Sequence, residues 1–101
     1  MDMIIDEYPK ALREKLRQRI RKVFLFGSRS RGDFTNASDY DFAIIVDKRS
    51  KDIEDAIDEV TGDFLYRYSE LIGPIIWDEF EWEERKKIPI GINILREGRE
   101  V

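Results

Sequence analysis

The 101 residues include no cysteine and no histidine. The first absence excludes disulfides and thiolate metal sites; the second removes the commonest general base and the commonest transition-metal ligand. A metal held by this chain would meet oxygen ligands only, which favours a hard cation such as Mg²⁺. No apolar stretch approaches the roughly 20 residues needed to cross a bilayer. The acidic opening Met-Asp-Met-Ile-Ile-Asp is not a secretory signal. A cytoplasmic location without membrane association is therefore expected. No repeat, low-complexity tract or linker interrupts the sequence, so a single domain over residues 1–101 is expected.

Charge is abundant instead. Asp, Glu, Lys and Arg make up 40% of the chain, against a usual quarter. Apolar residues, at 42%, suffice for one core. The net charge of −4 conceals an asymmetry: residues 1–32 carry nine Lys/Arg against four Asp/Glu, and residues 33–101 carry nine against eighteen. A basic first third beside an acidic remainder suits an anionic ligand or an oppositely charged partner. A solvated basic helix face would give the same count.

Tyr8, Leu12, Leu16 and Ile20 recur every four residues, which predicts an amphipathic helix from about Pro9 to Arg21 with the proline in its first turn. Val23–Phe26 reads as a short buried strand stopped by Gly27, and the Gly-, Ser-, Asn- and Asp-rich segment to Ser38 reads as a loop. Asp39–Val46 is a second strand. Ile53, Ala56, Ile57, Val60 and Phe64 repeat at helical spacing. Leu71–Trp77 is a third strand, with Gly73-Pro74 suggesting an edge or a bulge. Asp78 and Glu81 have the spacing of a capping box for a short helix, and a last turn or two runs from Pro89 to Arg96. The order α-β-β-α-β-α predicts a small α/β (α+β) domain, a mixed sheet flanked by helices.

The segment Phe26–Val46, FGSRSRGDFTNASDYDFAIIV, concentrates the chemistry. Alternation on a strand places Asp39 and Asp41 on one face, where two carboxylates repel unless a cation separates them. Phe42–Val46 anchors that pair in the core. Gly27 permits a sharp turn and lets an anion approach the backbone without a Cβ in the way. Ser28 adds a hydroxyl donor, and Arg31 can fork onto phosphate oxygens. Arg29 reads as solvated, and Ser38 as a turn cap beside the aspartates. The aromatics Trp77, Trp82, Tyr66 and Tyr68 read as core or partner surface, and no pattern marks a pocket for a base.

Gly27-Ser28, ten intervening residues and Asp39-x-Asp41 resemble the signature of the DNA polymerase β-like nucleotidyltransferase superfamily. The fuller pattern, Gly27-Ser28-Arg29-Ser30-Arg31-Gly32 with Ser38-Asp39-Tyr40-Asp41, is similar to its minimal nucleotidyltransferases. The resemblance implies the nucleotidyltransferase fold over the whole chain. It also implies Mg²⁺ on Asp39 and Asp41, and ATP held through Gly27, Ser28, Arg31 and Ser38. AMP would pass to a hydroxyl of a helical HEPN-type partner in a toxin–antitoxin pair, with oligomers possible and nucleic acid not expected as a direct ligand.

One part of that pattern is missing. Fuller superfamily members carry a third carboxylate on the later strand, and Leu71–Trp77 contains no acid. Asp78, just beyond it, is expected to cap the next helix. The alternative to an enzyme is a nucleotide-binding module that neutralises its partner by docking. Transfer to RNA or a small molecule ranks last, because the basic residues of the first helix lack interleaved aromatics.

Overall fold

Asp2 begins the first helix. Its carboxylate accepts from the backbone N–H groups of Ile4 (3.0 Å) and Ile5 (3.3 Å), satisfying donors that the first turn leaves free. In the computed structural model, which describes residues 2–101, helix α1 spans Met3–Leu16. The helix therefore starts before Pro9, which lies in its second turn, because Asp2 caps it there and the buried Ile4 extends the apolar stripe towards the N-terminus. It also ends earlier than Arg21. A 3₁₀ turn over Arg17–Arg19 follows, with Arg17 at φ 54°, and Ile20 already belongs to a strand.

Strand β1 (Ile20–Phe26) leads through helix α2 (Ser28–Arg31) and a loop to β2 (Tyr40–Val46). Helix α3 (Lys51–Tyr68) crosses over to β3 (Ile72–Asp78). Helices α4 (Glu79–Arg85) and α5 (Pro89–Glu97) and the short β4 (Arg99–Glu100) complete the chain. The sheet order is β3-β2-β1-β4: β2 and β3 are parallel, while β1 is antiparallel to both β2 and β4. The expected mixed sheet flanked by helices is thus observed, and β3 is an edge strand as Gly73-Pro74 suggested. The two-residue β4 was not foreseen; it is too short to leave a periodic signal.

Side-chain alternation divides the apolar residues between the two sheet faces. Val23, Leu25, Phe42, Ile44 and Val46 pack under α1 and α3 with Tyr8, Leu12, Ile53, Ile57 and Phe64. The buried Tyr8 hydroxyl is satisfied by Thr61 at 2.7 Å, and burial pushes its pKa up to about 12. Phe24, Ala43, Ile45 and Trp77 pack on the other face under Trp82 of α4 and Ile94 of α5, the two indoles stacked at 5.8 Å. Asp41 belongs to this second face, at the end where β2 begins.

Helix α5 closes down on α4 through Gly91. A Cβ there would overlap the Arg85 carbonyl, so no larger residue permits this approach without moving the backbone. With α4 so placed, α5 passes beside β1.

Candidate functional site

Phe26 and Asp41 are register partners in the β1–β2 pair. The next residue, Gly27, turns the chain at φ 73°, a backbone region that favours glycine. A Cβ on Gly27 would overlap Asp41 Oδ2. The turn backbone therefore packs directly on the carboxylate, and glycine is required twice over, for conformation and for space. The two halves of the motif are in contact in the fold.

Asp39 is exposed and lies one residue before β2, while Asp41 is half-buried. Burial raises the Asp41 carboxyl above its ordinary range, the Asp39 charge raises it further, and Arg31 acts in the opposite sense. The site thus concentrates negative charge, which Arg31 offsets in part at Asp41. An all-oxygen donor pair in that field fits a hard divalent cation.

The two arginines of the turn lie in different surroundings. Arg29 is not solvated: its side chain is 6% exposed. Its guanidinium lies over the rings of Phe34 (4.6 Å) and Tyr40 (4.2 Å) and donates to the Ser38 carbonyl from Nε (3.3 Å) and Nη2 (3.0 Å). It ties the loop to the residue preceding Asp39. Arg31 is the exposed one, paired with Asp33 (3.3 Å) and Glu97 (3.4 Å). Ser38 Oγ accepts from the Thr35 N–H at 3.0 Å, the turn-capping role expected of it. Tyr40, between the aspartates, donates to Asp2 at 2.7 Å and so links β2 to the start of α1.

The place abreast of Asp41 on the neighbouring parallel strand is occupied by Gly73. Asp78 pairs with Val46, five residues farther along, or roughly 16 Å at strand rise. Its carboxylate accepts from the Glu81 N–H at 2.7 Å, and Glu81 accepts from the Asp78 N–H at 3.1 Å. Asp78 is a helix cap. Among the described residues, no three His, Cys, Asp or Glu side chains are grouped to hold a metal ion.

Beside the Gly-Ser turn opens a cavity of about 420 Å³ lined by Phe26, Gly27, Arg31, Ile90, Asn93 and Glu97. Sequence reasoning missed its α5 wall. Ile90, Asn93 and Glu97 share a helix face at i, i+3 and i+7, but one apolar, one amide and one acidic residue form no amphipathic stripe.

Residues 5–95 match the Nucleotidyltransferase domain family. The chain belongs to this family. It is a nucleotidyltransferase, an enzyme acting on a nucleotide substrate. A Methanocaldococcus jannaschii protein named "Putative protein adenylyltransferase MJ0604" is 38% identical over 95 residues, covering 94% of this chain and 91% of its own length. A second protein of that organism, "Putative protein adenylyltransferase MJ0141", is 35% identical over 76 residues, covering 73% of this chain and 76% of its own. A crystal structure of a mutant MntA-HpeT toxin-antitoxin has a TM-score of 0.63 at 16% identity, covering 94% of this nucleotidyltransferase and 69% of the other chain. Another, described as "putative nucleotidyltransferase", has a TM-score of 0.57 at 20% identity, covering 99% of both chains. At those identities the structural likeness concerns the fold. No helix among the described residues is long and apolar enough to cross a membrane.

Proposed function

We propose that this nucleotidyltransferase moves AMP from ATP to a hydroxyl of a partner protein, as the antitoxin of a HEPN-type pair. The observation that carries the reading is the Asp41 carboxylate seated against Gly27, with Asp39 beside it. The names of the relatives support adenylyl as the transferred group and protein as the acceptor. The toxin–antitoxin described for the structural neighbours supports a partner in trans.

Asp39 and Asp41 would hold Mg²⁺, which when bound lowers the pKa of the acceptor hydroxyl and offsets charge on departing pyrophosphate. Gly27 admits the outer phosphates to the turn, and Ser28 donates to them. Arg31 exchanges Asp33 or Glu97 for phosphate oxygens, which accept its forked N–H groups. Arg29 and Ser38 keep Asp39 in place from behind. The acceptor oxygen bonds to the α-phosphorus while the bond from that phosphorus to the α,β-bridging oxygen breaks. The hydroxyl proton passes to water, and pyrophosphate leaves.

The test combines the purified protein with ATP, Mg²⁺ and the helical partner encoded beside it, followed by intact-mass measurement. The partner should gain adenylate, and Asp39→Asn with Asp41→Asn should stop the gain. Absence of transfer to the cognate partner would overturn the proposal. Gly73, standing where a third acid is missing, favours a second reading in which docking alone neutralises the partner. In that case the doubly substituted protein still protects cells from the toxin.

A further inference from the structure

The chemistry at Asp39 and Asp41 leaves the α5 wall of the cavity beside the Gly-Ser turn without a task. Its walls are built rather than incidental. Gly91 and Ile94 turn inward and hold α5 on the core. At the other end of the helix, Ser30 Oγ donates to the Glu97 carbonyl at 2.8 Å, and Arg31 pairs with the Glu97 carboxylate at 3.4 Å. The face bearing Ile90, Asn93 and Glu97 is therefore held at one end by packing on α4 and at the other by bonds to the Gly-Ser turn.

The chemistry of the lining discriminates between the two ends of a nucleotide. Arg31 and the Gly27 turn form the end of the lining that suits phosphate oxygens. The rest of the lining matches a polyphosphate tail badly, because Phe26, Ile90 and Asn93 carry no positive charge and Glu97 is itself an anion. A nucleoside matches it well. Phe26 and Ile90 supply apolar surface for the face of a base. The Asn93 amide has both donor and acceptor, the combination that pairs in bidentate fashion with the N6 and N7 edge of adenine. Glu97 can accept from ribose hydroxyls. A volume of about 420 Å³ lies within the span of small-ligand sites.

Position agrees with chemistry. Arg31 touches Glu97 on the cavity side, and Gly27, which also lines the cavity, packs on the Asp41 carboxylate. A nucleotide with its base in the cavity would carry its phosphates past Arg31 and Gly27 towards the paired aspartates. We propose that the cavity under α5 receives the nucleoside, with Asn93 reading the base edge and Ile90 and Phe26 packing on its face. This rests on the nucleotide-binding reading above and adds where the base lies and what selects it.

The test is calorimetric titration of the whole chain with Mg·ATP, Mg·GTP and Mg·tripolyphosphate, in the wild type, Ile90→Trp and Asn93→Ala. The wild type should bind Mg·ATP at least about tenfold more tightly than Mg·tripolyphosphate, and more tightly than Mg·GTP. Filling the cavity with I90W should bring Mg·ATP down to the affinity of tripolyphosphate, and N93A should weaken Mg·ATP about tenfold and narrow its advantage over Mg·GTP. Both positions are exposed, and unchanged tripolyphosphate binding confirms that each variant retains its fold. Wild-type affinity for Mg·ATP in both variants would overturn the cavity assignment while leaving nucleotide binding intact. Equal weakening of Mg·ATP and tripolyphosphate would place phosphates in the cavity and also overturn it. A wild type that binds neither ligand would end the nucleotide-binding reading itself.

Discussion

Asp41 and Gly73 stand abreast on the parallel strands β2 and β3, and a Cβ built on Gly73 would lie 3.6 Å from Asp41 Oδ1, at ordinary van der Waals distance. Apart from immediate chain neighbours, nothing else comes within 4 Å of that point. The fold thus has room for a third carboxylate where the sequence supplies none. Gly73→Asp should tighten Mg²⁺ binding and raise the transfer rate about tenfold, because another oxygen ligand raises the charge and number of donors around the ion. Without metal the same variant should melt below wild type, since three carboxylates then repel one another. Gly73→Ala controls for backbone effects. Unchanged metal affinity in a folded G73D protein would show that this edge of β3 does not border the ion.

The crowding of Asp41 has a consequence for stability. Its carboxyl titrates higher in the folded chain than its ordinary value of 3.8, through burial first and Asp39 second. The native state therefore holds the proton more tightly than the unfolded state, so this group costs stability as pH rises through the raised pKa. The penalty is fully present at neutral pH and absent well below 3.8. Asp41→Asn should accordingly raise the melting temperature at pH 7 in chelator by about 1–3 °C, a small effect because the half-buried group keeps part of its contact with solvent. At pH 3 the two proteins should melt alike. Adding Mg²⁺ at pH 7 should stabilise the wild type and leave the variant unmoved, whereas an equal response from both would place the ion elsewhere.

Arg29 gives a prediction of the opposite sign. Its guanidinium, 6% exposed, fills the space between Phe34 and Tyr40 and satisfies the Ser38 carbonyl. Arg29→Ala removes two ring contacts and a charge-assisted bond together, and should cost about 2–4 kcal/mol in urea denaturation. Arg29→Lys keeps the charge but loses the planar fork, and should recover less than half of that. Transfer should fall in both, because the loop fixes the residue before Asp39. Wild-type stability in R29A would mean that the stacked arrangement contributes nothing.

Arg29 and Arg31 also show what a sequence can and cannot disclose about this site. Gly27, Asp39 and Asp41 were legible because each needs a particular residue type: a backbone that turns without a Cβ, and carboxylates at strand spacing. The strands on either side were legible because Val23–Phe26 and Phe42–Val46 are nearly continuous apolar runs that end in polar turns. Which of two arginines in Ser28-Arg29-Ser30-Arg31 is buried was not legible, since that depends on Phe34 and Tyr40 arriving from across the loop. The start of α1 was misplaced for a related reason. Pro9 is a strong local signal for a first turn, but Asp2 supplies a cap seven residues earlier and the core accepts Ile4. The α5 wall of the cavity arises from packing against α4 through Gly91 and was invisible to periodicity.

Asp78 is the acid that ends β3, the strand on which the third carboxylate is missing, and its role can be separated from catalysis by substitution. In the structure it closes a reciprocal pair of bonds with Glu81 at 2.7 and 3.1 Å, at the end of β3 remote from Asp41. Asp78→Ala should cost about 1 kcal/mol through loss of the cap, with Mg²⁺ affinity and transfer unchanged at temperatures where the protein stays folded. Asp78→Asn retains an oxygen that accepts the Glu81 N–H, so its melting temperature should stay close to wild type. The decisive comparison is transfer by D78N. Amide oxygen caps a helix nearly as well as carboxylate but is a far poorer ligand for a hard cation, so a stable D78N protein with lost transfer would assign Asp78 to the metal. Retained transfer leaves it as the residue that starts α4 and thereby positions Trp82 over the sheet face from which Asp41 projects.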